Sequence, residues 1–224
     1  MKENIDIAKK WEYENGFYLT VGADRLSKFV AHLELYRMAE GTPGDIAEFG
    51  VYKGASLSRW AIFRSMFSNE FAKKIFGFDV FGAFPHTNYE DDVKRRAEFV
   101  DAGGENSISK SDFEYLLKER NLDHNVELIE GNILETLPDF LANNPHTRFS
   151  LINLDTDVYE PAKCILEHCW DRLTPGGVLI LDDYATFAGE TVAVEEFIVE
   201  RNISSKVQSF PFAQTPCYIV KEAY

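Results

Sequence analysis

Short apolar runs alternate with longer amphipathic segments along most of the chain. Five of these runs predict buried strands, at residues 45–50, 74–79, 125–130, 149–155 and 177–182. Apolar residues at helical spacing predict helices over residues 55–67, 134–143, 161–172 and 191–200. Near the end of the chain, two further runs predict strands in an antiparallel hairpin, at residues 206–210 and 217–221. Strands that alternate with helices indicate a mostly parallel sheet with helices on both faces.

The first part of the chain departs from this alternation. Residues 1–22 are polar and aromatic without a clear period, and the residues after them predict a helix over Asp24–Glu40 with Asp24 as its cap. The apolar positions that share one face of this helix are Leu26, Phe29, Val30 and Leu33. We therefore expect an N-terminal helical extension over residues 1–43.

The interval between the second and third strands is unusually long. Residues 84–106 are polar, contain a Gly-Gly pair and predict a long loop. Ser111 and Glu114 have the spacing of a capping box, which predicts a helix over residues 112–120. Because long loops in compact domains are usually functional or disordered, we expect residues 84–123 to form a lid or acceptor-binding insertion.

Composition and charge limit the classes of protein to which this chain can belong. The chain has 224 residues, which suits one domain over residues 1–224, and its net charge of −14 argues against a nucleic-acid binder. No run approaches the ~20 apolar residues of a membrane helix, so no membrane partner is expected. The first residues are too polar for a signal peptide, and the three cysteines lack a metal-binding spacing. These features predict reduced cysteines in a cytoplasmic protein.

Acidic residues stand at the carboxyl end of every predicted parallel strand. They are Glu48, Asp79, Glu130, Asp155 and Asp182. In an open parallel sheet, ligands bind beyond the carboxyl ends of the strands. This edge of the sheet is therefore the predicted site.

The first strand ends in a glycine-containing turn, residues 48–54 (Glu-Phe-Gly-Val-Tyr-Lys-Gly). Its glycines allow a tight turn and close approach of a ligand, and the next helix offers free N–H groups. The spacing fits neither a GxGxxG fingerprint nor a P-loop. It resembles the first motif of class I S-adenosylmethionine-dependent methyltransferases. In that reading, Asp79 accepts hydrogen bonds from two ribose hydroxyls and Glu48 receives the amino end of the cofactor. The predicted cofactor-binding residues are Glu48, Phe49, Gly50, Tyr52, Gly54, Ser56, Asp79, Gly131, Asn132 and Asp155.

A second group of acids follows the fourth and fifth strands. Asp155 and Asp182 are one strand–helix–strand unit apart, so they come together if these strands pair. With Asp183 they form three carboxylates that would repel one another without a cation, and oxygen ligands suit Mg²⁺, Mn²⁺ or Ca²⁺. Asp157 is close enough in sequence to face the substrate. An alternative is that Asp182 or Asp183 caps the following helix.

Five stretches, taken in order, resemble the macrocin O-methyltransferase (TylF-type) family. They are residues 44–54, 77–85, 130–138, 154–160 and 173–184. The resemblance extends from Asp24 to Phe197 and implies a Rossmann-like class I methyltransferase fold with a seven-stranded sheet. It also implies S-adenosylmethionine and Mg²⁺ as cofactors. By matching motifs it assigns Asp155, Asp182 and Asp183 to the metal, and Asp157 to the general base.

The expected activity follows from this resemblance. It is the transfer of a methyl group from S-adenosylmethionine to a hydroxyl of a sugar or glycosylated small molecule in natural-product biosynthesis, with help from a divalent metal. A metal-dependent catechol or phenol O-methyltransferase is the first alternative, and a non-catalytic S-adenosylmethionine-binding protein is the second. The helix at residues 24–40 is a candidate contact of a homo-oligomer.

Overall fold

The computed structural model describes residues 5–222. Within this range, seven strands form one sheet: β1 (Asp45–Phe49), β2 (Ile75–Asp79), β3 (Val126–Glu130), β4 (Phe149–Leu154), β5 (Leu173–Leu181), β6 (Gln208–Ser209) and β7 (Cys217–Val220). Their order across the sheet is β3-β2-β1-β4-β5-β7-β6. The first five strands are parallel, whereas β7 is antiparallel to β5 and to β6. The predicted sheet and its C-terminal antiparallel hairpin are therefore confirmed.

Helices cover both faces of this sheet. They are α1 (Lys10–Thr20), α2 (Ala23–Ala39), α3 (Ala55–Phe67), α4 (Glu90–Gly103), α5 (Lys110–Glu119), α6 (Ile133–Asn143), α7 (Tyr159–Cys169) and α8 (Ala188–Glu200). Helices α6, α7 and α8 share one hydrophobic core with the sheet, while α2, α3 and α5 share the core on the opposite face. Because apolar side chains point to both faces, the central strands are continuous apolar runs. None of the described helices is both long enough and apolar enough to cross a membrane.

The predicted helix at residues 24–40 is present as α2, but its predicted apolar face is only partly buried, with Leu26 and Leu33 half-buried. Phe29 and Val30 are exposed, and the buried positions are Ala31, His32, Leu35, Tyr36 and Ala39. The helix also begins after Gly22, and the Asp24 side chain does not cap it. The buried face includes a histidine because this helix packs against a polar part of the sheet edge, which a count of apolar positions does not detect.

The insertion at residues 84–123 is more helical than predicted. Helix α4 occupies most of the segment expected to be a loop, and three acids in its first turn favour it through the helix dipole. The Oγ of Ser109 accepts a hydrogen bond from the Asp112 N–H at 3.1 Å, so Ser109 caps α5 in place of Ser111. The role of this insertion and the division into a single domain with an N-terminal extension stay predictions. Residues 1–4 and 223–224 of that domain lie outside the described range.

Candidate functional site

A cavity of about 500 Å³ opens at the carboxyl ends of the parallel strands. It brings together most of the predicted site residues, namely Gly50, Tyr52, Ser56, Asp79, Asn132, Asp155, Asp157, Asp182 and Asp183. Four other predicted cofactor residues do not line this cavity: Glu48, Phe49, Gly54 and Gly131. Their cofactor-binding roles stay predictions.

The two glycines of the turn after β1 are required by its geometry. Gly50 has φ +94°, and a Cβ there would lie 1.7 Å from the Asp155 carbonyl oxygen. Gly54 has φ +77°, and its Cβ would lie 2.5 Å from the ring of Phe113. Only glycine adopts these conformations without strain and without these clashes. The turn can therefore sit directly against the loop that follows β4.

Asp79 organises this turn from the end of β2. Its carboxylate accepts hydrogen bonds from the N–H groups of Val51 at 2.8 Å and Tyr52 at 2.9 Å. It also accepts from the Phe81 N–H at 2.7 Å and the Ser107 hydroxyl at 2.8 Å. A carboxylate has about four acceptor positions, so a bound ribose hydroxyl would take the place of one of these donors.

Glu48 supports α3 from inside the protein. Its fully buried carboxylate accepts hydrogen bonds from the Ser56 hydroxyl at 2.8 Å and from the indole N–H of Trp60. The Asn153 amide lies at 3.4 Å from the same carboxylate. Burial raises the pKa of Glu48 to about 7, although these hydrogen bonds oppose the shift. Glu48 is thus a buried acid held by side chains of α3 and β4, and it does not line the cavity.

We expect Glu48 to make the free energy of unfolding fall as pH rises. Its pKa in the folded state is about 7, above the ordinary value of 4.5, so the folded protein binds the proton more tightly than the unfolded chain. The resulting stability is complete below pH 4.5 and is lost as pH rises through 7, a change of up to about 3 kcal/mol. Glu48→Gln should remove this part of the pH dependence in urea denaturation at pH 5 and pH 8. Equal pH profiles for both proteins would contradict the assignment.

Three carboxylates meet beside the turn after β1. Because β4 and β5 pair in parallel, Asp155 and Asp183 follow neighbouring strands, and Asp157 joins them in an αL conformation with φ +65°. One oxygen from each of the three lies within 4.8 Å of the others. The Asp183 Oδ2 is buried without a hydrogen-bond partner in the described part of the chain. Converging carboxylates with an unpartnered oxygen are a donor set that suits Mg²⁺.

The pKa values of the three acids are raised, as expected for carboxylates that lie close together without a cation. Burial, followed by repulsion from the neighbouring Asp155, raises the pKa of Asp157 to about 8, against a hydrogen bond with Asp183. Burial followed by repulsion from nearby acids also raises the pKa values of Asp155 and Asp183 well above the ordinary range. Without a cation, burial and mutual repulsion therefore disfavour the ionised forms of these groups.

Asp182, the third predicted metal ligand, has protein partners of its own. Its Oδ2 forms an ion pair with the Lys28 ammonium, and its Oδ1 lies 3.3 Å from Nε2 of His32. Burial alone would raise the pKa of Asp182, but the charge of Lys28 and the bond from His32 hold it below the ordinary range. Asp182 is thus bonded to α2, whereas Asp155, Asp157 and Asp183 face one another.

Sequence reasoning missed the contribution of α2 to this site. Lys28 and His32 are four residues apart and lie on one helix face, which is the signal that could have found them. The His32 ring stacks on Trp60 with ring centroids 4.8 Å apart, and its Nδ1 lies 3.3 Å from a nitrogen of Arg59. A chain of polar contacts therefore connects α3 to Asp182 through a buried histidine.

The insertion contributes Phe84 and Phe99 to the lining of the cavity, and its helix α4 contacts α7 and α8. Asp92 of α4 is fully buried, and its carboxylate accepts hydrogen bonds from the N–H groups of Tyr159 at 3.1 Å and Gly189 at 2.8 Å. These N–H groups belong to the first turns of α7 and α8. Asp92 therefore serves two helix N-termini, while the α8 N-cap, Phe187, supplies no side-chain bond. The alternative in which Asp182 or Asp183 caps α8 is not what the structure shows.

The chain was compared with known families and structures. A family model described as Macrocin-O-methyltransferase (TylF) matches residues 8–214, which is most of the chain. This chain belongs to the macrocin O-methyltransferase (TylF) family. The family predicted from the five sequence stretches is thus confirmed.

Relatives of this TylF-family chain are enzymes of antibiotic biosynthesis. An 8-demethyl-8-(2,3-dimethoxy-alpha-L-rhamnosyl)-tetracenomycin-C 4'-O-methyltransferase from Streptomyces olivaceus is 32% identical over 74% of this chain, a match that spans 62% of that relative's length. A mycinamicin III 3''-O-methyltransferase from Micromonospora griseorubida is 26% identical over 88% of this chain and 76% of its own length.

Solved structures confirm the fold of this TylF-family chain. The structure of CalS11, a calicheamicin methyltransferase, covers 97% of this chain and 86% of its own, with a TM-score of 0.78 and 27% identity. An apo structure of CalS11, described as a TDP-rhamnose 3'-O-methyltransferase, gives a TM-score of 0.68 with 26% identity. The predicted Rossmann-like class I methyltransferase fold is therefore confirmed.

Proposed function

We propose that this protein transfers a methyl group from S-adenosylmethionine to a hydroxyl of a sugar or a glycosylated small molecule. The observation that carries the proposal is a single cavity that joins the glycine turn after β1 to the acids after β4 and β5. Family membership supports methyl transfer, and the named relatives act on sugar-bearing antibiotics or on a nucleotide-linked sugar. Both forms of sugar are therefore candidate acceptors.

We assign the chemistry to groups at the two ends of this cavity. Gly50, Asp79 and Asn132 border the proposed cofactor end, where S-adenosylmethionine would supply the methyl group. At the other end, Asp157 is the proposed general base that removes the hydroxyl proton. General bases contribute about 10²–10⁴-fold to a rate, and a raised pKa suits this task near neutral pH.

We assign a divalent ion to Asp155 and Asp183. The converging oxygens and the unpartnered Asp183 Oδ2 support this assignment. Mg²⁺ often binds through one or two carboxylates and keeps its other positions for water or substrate oxygens. When bound, it would act as a Lewis acid toward a coordinated hydroxyl and would neutralise the repelling carboxylates. The place of Asp182 in the ligand set stays a prediction from the sequence.

The proposed activity is tested by methyl transfer to a panel of acceptors. The purified protein is incubated with S-adenosylmethionine, Mg²⁺ and one acceptor: a rhamnosylated tetracenomycin, a mycinamicin, TDP-rhamnose or catechol. We expect a methylated product with one or more of the sugars and none with catechol. Methylation of catechol alone would favour the phenolic alternative. Cofactor binding without any product across glycosides of several classes would favour a non-catalytic protein.

Asp79→Ala is expected to lower the affinity for S-adenosylmethionine by about 100-fold. The variant loses the charged acceptor proposed for the ribose and the bonds that hold the turn, and hydrogen bonds to charged groups contribute about 1.5–3 kcal/mol each. Isothermal titration measures the effect. Ser107→Ala is the matched control, because it removes one donor to Asp79 and leaves the carboxylate in place. Equal affinities for wild type and Asp79→Ala would refute the role of Asp79.

The cytoplasmic location and a homo-oligomer stay predictions.

A further inference from the structure

The cavity carries positive charge on the side formed by α2 and α3. Arg25 of α2 and Arg59 of α3 both line it, although the chain as a whole has a net charge of −14. Arg25 is exposed and Arg59 is half-buried, so the pair extends from the protein surface into the cavity wall. A basic pair in an acidic protein concentrates an anionic ligand at that point, because the rest of the surface repels it.

These two arginines lack the partners that the other arginines have. Every other described arginine bonds to a carboxylate, a hydroxyl or a backbone carbonyl. Within residues 5–222, Arg25 has no hydrogen bond or ion pair, and the only hydrogen bond of Arg59 joins a guanidinium nitrogen to Nδ1 of His32 at 3.3 Å. Because a guanidinium has several N–H donors, most donors of this pair are left for a ligand.

Contacts between α2 and α3 hold the two guanidinium groups on the same side of the cavity. The Arg59 guanidinium lies over the ring of Phe29, 5.9 Å from its centroid, and Phe29 is one helical turn after Arg25 on α2. Burial, followed by repulsion from Arg25, lowers the pKa of Arg59. An anion bound between these like charges would be stabilised by both of them.

The acceptor suits this position better than the cofactor does. Asp182 and Asp155 are among the charges that act on Arg59, so the pair lies beside the acids where the acceptor hydroxyl is expected. The methionine part of the cofactor offers a single carboxylate, whereas a diphosphate carries a negative charge on each phosphate. Arginine forms bidentate hydrogen bonds with phosphate oxygens. Two neighbouring guanidinium groups therefore match a diphosphate better than they match one carboxylate.

We propose that Arg25 and Arg59 bind the diphosphate of a nucleotide-linked sugar, and that this sugar is the acceptor of the methyl group. The inference rests on the proposed methyl transfer and selects one of its two candidate acceptors, the nucleotide-linked sugar, over a neutral glycoside. It also places the reaction before glycosyl transfer, because the nucleoside diphosphate is the leaving group of that later reaction.

The test is a calorimetric titration of thymidine diphosphate, inorganic pyrophosphate and thymidine into the full-length protein saturated with S-adenosylhomocysteine. The first two probes carry the anionic group, and thymidine lacks it. No metal is added, so that no phosphate binds through a divalent ion. We expect the wild type to bind thymidine diphosphate at least about 10-fold more tightly than thymidine, because arginine forms charge-assisted hydrogen bonds with phosphate.

Arg25→Gln and Arg59→Gln should each weaken the binding of thymidine diphosphate and of pyrophosphate by at least about 10-fold, since each removes a charged donor. Arg59→Lys should keep part of the affinity, because lysine retains the charge and loses the planar fork. Because Arg25 is exposed, Arg25→Gln tests the inference even if Arg59→Gln is poorly folded.

Arg95→Gln is the matched control. Arg95 lines the same cavity from α4, but it pairs with Glu98. Its affinities for the three probes should stay within about 3-fold of wild type, since salt screens charges that do not contact the ligand.

Three outcomes would overturn the inference. The first is no binding of thymidine diphosphate or pyrophosphate by the wild type, and the second is equal affinity of the wild type, Arg25→Gln and Arg59→Gln for these probes. The third is a loss in both variants of affinity for S-adenosylmethionine but not for 5'-methylthioadenosine, which has no carboxylate. That result would assign the arginine pair to the cofactor.

Titration of S-adenosylmethionine into the wild type keeps the two proposals apart. If the wild type binds this cofactor but neither phosphate probe, the acceptor inference fails and the methyltransferase proposal stands. If the wild type does not bind S-adenosylmethionine, the methyltransferase proposal is refuted, and the inference that rests on it falls as well.

Discussion

Gly50→Ala is expected to destabilise the protein by about 3 kcal/mol or more and to abolish measurable S-adenosylmethionine binding. The alanine Cβ would lie 1.7 Å from the Asp155 carbonyl oxygen, and that oxygen belongs to the backbone of the loop that carries the acidic cluster. The backbone at φ +94° adds strain for any residue with a Cβ. Either the turn or the loop must shift, and both border the cavity. Urea denaturation and calorimetric titration of the cofactor measure the two effects.

Gly82→Ala is the control for this substitution. Its Cβ would meet only the Val80 carbonyl oxygen, at an ordinary contact distance of 3.6 Å. We therefore expect a change in stability of less than about 1 kcal/mol, because glycine-to-alanine changes at unstrained positions act mainly through the unfolded state. If the two variants were equally stable and bound the cofactor equally well, the close contact between the turn and the Asp155 loop would be refuted.

Asp157→Asn is expected to lower kcat by about 10²–10⁴-fold, the usual contribution of a general base. Asparagine fits this position because it has nearly the same shape and tolerates the αL conformation observed at φ +65°. Burial and the charge of Asp155 raise the pKa of Asp157, so wild-type activity should rise with pH as this carboxyl loses its proton, and a bound divalent ion should move this rise to lower pH. The variant should lack that rise. The measurement is kcat against pH with saturating acceptor.

Two further measurements separate a base from a metal ligand at Asp157. The variant should keep the wild-type affinity for S-adenosylmethionine and for Mn²⁺. A loss of Mn²⁺ binding in parallel with kcat would instead make Asp157 a third ligand. Thr156→Val is the control in the same loop, because it changes a buried neighbour without removing an acid. Its kcat should stay within about 10-fold of wild type, since the variant keeps every acid of the cluster.

The amino-acid sequence by itself determined the sheet and the positions of its acids. Apolar runs and helical spacing located all five parallel strands, because strands buried on both faces leave a strong local pattern. The pairing of β4 with β5 then brought Asp155 and Asp183 to one edge, as strand polarity requires. The sequence also predicted the two glycines of the turn after β1, and in the structure both Gly50 and Gly54 have positive φ.

The tertiary structure alone decided which of these groups meet and which have partners elsewhere. Lys28 and Asp182 are 154 residues apart in the chain, and no local pattern links them. Asp92 reaches Gly189 across 97 residues, and Glu48 is turned into the core beneath the cavity. Periodicity reports whether a position is buried, but it does not report the partner of a buried charge. That partner is set by the packing of α2 and α4 against the sheet edge.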